Sequence, residues 1–178
     1  SKQMKTKVKA LPQILKFTEI KYYIFTSVFT FTAILVPWLL HRFSLAGPQF
    51  VPMHYFILIA GFLFGWRVGL VTAVSSSLMS YSISHMPPLM ILPEVTLELA
   101  IYGVVIGILR EKNLRLWPSL IGAMVAGRLS RLLLVLTLGL KTNPINYFQM
   151  SLIGTALQLI LIPLIIYGAQ KLLFTKEI

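Results

Sequence analysis

Glu94, Glu98, Arg128 and Arg131 stand within or at the edge of apolar runs long enough to cross a membrane. A charge at the centre of a membrane helix costs about 2.5–3.5 kcal/mol on translocon scales, so charges retained there serve a polar solute, one another, or both. Glu94 and Glu98 are four residues apart, which on a helix puts them on one face, and Tyr102 continues that stripe. Carboxylates beside guanidinium groups can hold a solute through charge-assisted hydrogen bonds, or they can lock helices together as a buried ion pair. Both readings stand for Glu98 with Arg128 or Arg131. Glu94 follows Pro93 at the opening of an apolar run, a position where a carboxylate complements the helix N-terminus.

Other polar residues gather around these four. His54 follows Pro52 and Met53 at the start of an apolar run and is placed for ligand contact, whereas His41 and His85 read as interfacial residues. Asn143, Asn146 and Tyr147 belong to a polar loop, residues 141–149. Arg131 and Gln158 lie about two to three helical turns inside their runs from the same end. The expected site is therefore a pocket at the outer end of a bundle, built from His54, Glu94, Glu98, Tyr102, Arg128, Arg131, Asn143, Asn146, Tyr147 and Gln158. Catalysis has little support. Asp and Cys are absent and the three histidines have no metal-ligand spacing, so neither a metal site nor a Ser-His-Asp arrangement is expected. Ser75, Ser76 and Ser77 read as a small-residue packing patch. No GxxxxGK[ST] run marks a nucleotide site, and no cofactor is expected.

The elements that must position these residues are membrane helices. The chain has 178 residues, 57% of them hydrophobic and 12% charged, with a mean hydropathy of +0.82. That is too apolar for a soluble domain of this length. The fold class expected is all-α, an integral membrane six-helix bundle, with spans at 22–40, 51–66, 68–84, 94–109, 117–140 and 150–170. The second, third and fourth are short and bounded by Pro, Gly or His, as helices are that stop inside a protein and leave a cavity. Lys2, Lys5, Lys7, Lys9, Lys16, Lys21, Arg67, Arg110, Lys112, Arg115, Lys171 and Lys176 fall on one side of this arrangement, and Arg42 and Lys141 on the other. The positive-inside rule then places both termini in the cytoplasm. Topology and contact with anionic membrane lipid account for the net charge of +11, and nucleic acid is not an expected partner. Residues 1–21 read as a cytoplasmic amphipathic segment with Pro12 sitting awkwardly in it, and 22–178 as one membrane domain. No small-residue cleavage site closes a short apolar core, so a signal peptide is not expected.

Gly61 with Gly65 and Gly103 with Gly107 form GxxxG patterns, which in apolar helices mark close packing and say little about function. Phe50-Val51-Pro52-Met53-His54, the stretch 58–65 with Gly69, His85-Met86-Pro87-Pro88, Glu98-Leu99-Ala100-Ile101-Tyr102-Gly103, Gly127-Arg128-Leu129 and Gln158-Leu159-Ile160-Leu161-Ile162-Pro163 together carry a resemblance. The chain from Tyr22 onward resembles the substrate-binding S components of energy-coupling factor (ECF) vitamin transporters. The resemblance implies a six-helix protein of the prokaryotic plasma membrane that binds a water-soluble vitamin or related micronutrient at its outer end. It further implies delivery by toppling on a transmembrane coupling subunit powered by two cytoplasmic ATPases. The family's coupling face is commonly an AxxxA pair on the first helix; here Thr26 and Thr30 occupy that spacing. Two rival readings remain at this stage: a small membrane scaffold whose buried charges only hold helices together, and a membrane enzyme using Glu94 and Glu98 as an acid/base pair.

Overall fold

The computed structural model of the protein describes residues 13–45 and 51–174. Seven helices follow in order: α1 Ile20–Arg42, α2 Pro52–Phe64, α3 Trp66–Ser84, α4 Leu92–Glu111, α5 Leu116–Leu138, α6 Pro144–Met150 and α7 Leu152–Phe174. No strand occurs among the described residues. Most of the expected amphipathic segment 1–21 lies outside the described residues, as do positions 46–50.

Helices α1, α4, α5 and α7 are long and apolar enough to cross a membrane. Their outward faces carry exposed large apolar residues, among them Ile24, Val28 and Phe31 on α1, Val125, Leu129 and Leu133 on α5, and Ile160 and Leu164 on α7. Buried polar groups inside an apolar exterior are the arrangement a lipid solvent requires. The shorter α2 is the innermost element, buried along nearly its whole length from Met53 to Phe64. Its 13 residues rise only about 20 Å at 1.5 Å each, short of a roughly 30 Å hydrocarbon core. This fits the expectation that the second run is short, whereas the fourth run, also expected to be short, forms the 20-residue α4, which is long enough to cross.

Gly65 explains how α2 ends and α3 begins without a loop. Its φ of +96° is open to glycine and strained for other residues, so the chain reverses at this single residue. Below that corner, α4 serves as the hub, packing most extensively on α3 and α5 and also on α2. The contact is backbone to backbone: a Cβ on Gly103 would overlap Gly69, and one on Gly107 would overlap the Gly65–Trp66 peptide. The two GxxxG patterns thus serve packing within the chain. Ser76 and Ser77 are also buried and donate to the Ala73 carbonyl at 3.2 and 2.8 Å, so these two serines of the patch serve packing.

The loop expected over 141–149 departs from that expectation. It contains α6, a short helix whose first turn is capped by the Asn143 side chain accepting from the Asn146 amide at 3.1 Å. Pro144 sits at the first helical position, where its missing N–H costs nothing. A periodicity search has no purchase on so short an element, although the Asn-Pro start was visible in the sequence.

Candidate functional site: a buried charge cluster behind an end cavity

At the end of the bundle where α1 meets α2, α3 meets α4 and α5 meets α6, α4 and α5 bring three charges together. Arg131 donates from Nε to Glu94 Oε2 at 3.2 Å and from Nη1 to Glu98 Oε2 at 2.9 Å. Both carboxylates are 0% exposed and Arg131 is 2% exposed. The remaining carboxylate oxygens are also used: Tyr102 donates its hydroxyl to Glu98 Oε1 at 3.0 Å, and Thr142 donates to Glu94 Oε1. Tyr147 closes the group from α6, its ring centroid 3.6 Å from the Arg131 guanidinium carbon. Burial, ahead of the nearby Glu98 charge, raises the Tyr147 phenol above its ordinary range, so it is a neutral hydroxyl at physiological pH. Gly127 makes the assembly possible, because a Cβ there would overlap the Tyr102 ring.

Arg128 has a different role from Arg131. It donates to the hydroxyls of Ser151, at 2.9 Å, and Thr155, and its guanidinium faces the Phe148 ring at 5.3 Å. It therefore ties α5 to the start of α7 while both carboxylates go to Arg131. Thr142, Ser151, Thr155 and Phe148 are residues that reading the sequence missed. Ser151 and Thr155, four apart, could have been recognised as a hydroxyl pair on one helix face.

A cavity of about 570 Å³ opens beside this cluster. It lies between the end of α1, the start of α2, the end of α3 and the segment leading into α4, with Trp38, Arg42, Met53, His54, Pro88 and Tyr147 among its walls. Of the expected site residues, His54 and Tyr147 line it, and Glu94, Glu98, Tyr102 and Arg131 are packed behind them. His54 is 3% exposed, yet neither ring nitrogen has a hydrogen-bond partner among the described residues. Its Nε2 is 3.8 Å from Glu98 Oε1, beyond hydrogen-bond reach, and its ring meets Tyr102 edge-on at 5.2 Å. Gln158 is fully buried on α7 with both amide atoms unpartnered among the described residues. Asn143 is engaged as the α6 cap, and Asn146 is exposed. Among the described residues no group of three or more metal-ligating side chains converges.

A family model for the ECF transporter substrate-specific component matches residues 21–175, nearly the whole chain. The chain belongs to this family. The S component is accordingly a multi-pass cell-membrane protein and a substrate-binding subunit of a transporter, which removes the enzyme and scaffold alternatives. Comparison with curated proteins and with solved structures returns no match. Thr26 and Thr30, the residues the resemblance pointed to for coupling, lie at the α1–α3 contact as the buried floor of a groove of about 680 Å³ whose rim includes Ser27, Phe31 and Ser75.

Proposed function

We propose that this S component captures a water-soluble vitamin or related micronutrient in the end cavity, on the outer side of the membrane. His54 carries the reading. A buried polar side chain without a hydrogen-bond partner is the exception in folded proteins, and this one lines a cavity whose volume suits a small organic solute. Trp38, Met53 and Pro88 offer apolar wall for a ring system, while His54 and the Tyr147 hydroxyl offer orienting hydrogen bonds. Arg42 and His41 at the α1 end of the cavity favour a solute with an acidic or electron-rich group, since no carboxylate lines it among the described residues.

In this reading Glu94, Glu98, Arg131 and Tyr102 form the rigid back wall that fixes His54 and Tyr147, and Arg128 pins α6 and α7 against it. Asn143, Asn146 and Gln158 are not among the walls of this cavity. A second reading, in which Glu98 and Arg131 bind the solute directly, requires the Arg131 pairs to open. The engagement of all four carboxylate oxygens favours the structural role. Glu98→Gln separates the two: direct contact predicts a loss of about 1–3 kcal/mol in solute affinity, and the structural role predicts lower thermal stability with affinity kept in the folded fraction.

The proposal includes six spans with both termini cytoplasmic, supported by the lysine and arginine asymmetry. Single cysteines at Asn113 and Thr142 test it in this cysteine-free chain: they should label from opposite sides, Thr142 from outside, and labelling of both from one side contradicts it. Transport requires a transmembrane coupling subunit and two cytoplasmic ATPases, docked at the α1–α3 groove over Thr26 and Thr30. In vesicles the isolated protein should bind solute without accumulating it, and the added module should confer ATP-dependent uptake. Thr26→Trp or Thr30→Trp should then block uptake and leave binding intact; accumulation by the isolated protein would overturn the assignment.

A further inference from the structure

The opposite end of the bundle holds a second built pocket, which the substrate-capture reading does not use. Its volume is about 520 Å³, and Phe62, Arg110, Arg115, Trp117, Tyr167 and Gln170 are among its walls, drawn from α2, α4, α7 and the start of α5 with the residue before it. Arg110 is half-buried and rests on the Phe62 ring at 5.2 Å, and its Nε is shielded from solvent without a hydrogen-bond partner among the described residues. The adjacent carboxylate, Glu111, is turned toward Arg67 at 3.8 Å, and no carboxylate lies within ion-pair distance of Arg110 or Arg115 among the described residues. Two guanidinium groups therefore line one pocket with no carboxylate answering them among the described residues.

The surroundings indicate what answers them. Trp117 and Tyr167 are exposed beside the pocket, at the ends of apolar helices, as aromatic residues are at the headgroup level of a bilayer. Guanidinium matches phosphate oxygens through paired N–H donors. Basic pockets between membrane helices on the cytoplasmic side are suited to anionic headgroups. Lys112 and Lys171 add positive charge at the same end. We propose that this pocket binds the phosphate of an anionic phospholipid headgroup, with Arg110 and Arg115 on the phosphate oxygens, Gln170 toward the headgroup hydroxyls and the acyl chains lying along the apolar face beside Ile166.

The test uses the full chain, stripped of lipid in a neutral detergent and offered phosphatidylglycerol, phosphatidylcholine or inorganic phosphate. Native mass spectrometry and thermal unfolding report binding. One phosphatidylglycerol should remain bound and raise the unfolding midpoint, and neither phosphatidylcholine nor inorganic phosphate should do so at the same concentration. Arg110→Gln and Arg115→Gln should each weaken phosphatidylglycerol binding at least 10-fold, whereas Lys112→Gln should leave it within 2-fold. Arg110→Lys keeps the charge and loses the fork; it serves if the glutamine variant does not fold, and should also weaken binding. Equal retention of phosphatidylcholine, equal stabilisation by inorganic phosphate, or unchanged phosphatidylglycerol binding in the arginine variants would each overturn the proposal, the second by pointing to a soluble phosphate ligand.

Discussion

Arg131 and Arg110 belong to the same apolar bundle and are held in opposite ways. Arg131 is 2% exposed, bonded to Glu94 and Glu98 and stacked on Tyr147. Arg110 leans on Phe62 with no carboxylate partner among the described residues. At the first end the protein supplies every counter-charge, so the cluster is a rigid part of the fold and the adjoining cavity is lined by His54, whose ring nitrogens make no hydrogen bond among the described residues. At the second end the described residues supply the cation and an apolar seat but no counter-charge, which on our proposal comes from a lipid phosphate. Equal residue types thus take unequal roles, decided by whether a carboxylate stands across from them.

The contrast is sharpest when one partner is removed. Arg131→Ala strands two buried carboxylates and should cost about 3–5 kcal/mol of stability by denaturant unfolding in detergent. Adding Glu94→Gln and Glu98→Gln should recover part of that loss; no recovery would mean the arginine acts by packing alone. Arg128→Gln comes next, about 1.5–3 kcal/mol, since its bonds to Ser151 and Thr155 are charge-assisted but only part-buried. A smaller effect, about 0.5–2 kcal/mol, is expected for Asn143→Ala, which removes the α6 cap; because α6 carries Tyr147, a weaker solute affinity should accompany it. Arg110→Gln in lipid-free neutral detergent should change stability by no more than about 2 kcal/mol, the scale of a partly desolvated cation–π contact. A loss at Arg110 as large as at Arg131 would erase the distinction between the two ends.

How far the sequence could be read follows the same physical line. Helices α1, α4, α5 and α7 were legible because their apolar runs match the span of a bilayer. The convergence of Glu94, Glu98 and Tyr102 was legible from four-residue spacing alone. The choice between Arg128 and Arg131 as the carboxylate partner was not, because it depends on how α5 rotates against α4, and Gly127 settles that by admitting the Tyr102 ring. Helix α6 escaped because a capped turn of that length has no measurable period. The serines and threonines that answer Arg128 escaped because hydroxyls in membrane helices ordinarily bond their own backbone, as Thr155 also does to the Ser151 carbonyl at 2.9 Å.

The most direct measurement of solute capture is the small molecule released on denaturing the purified protein, identified by mass spectrometry for the native chain and for His54→Ala. The native chain should release a vitamin-class compound in near-stoichiometric amount. His54→Ala, folded to the same unfolding midpoint, should release at least about 10-fold less, which is the loss of one hydrogen bond of about 1.4 kcal/mol. The same compound released in equal amount from His54→Ala would contradict capture in this cavity.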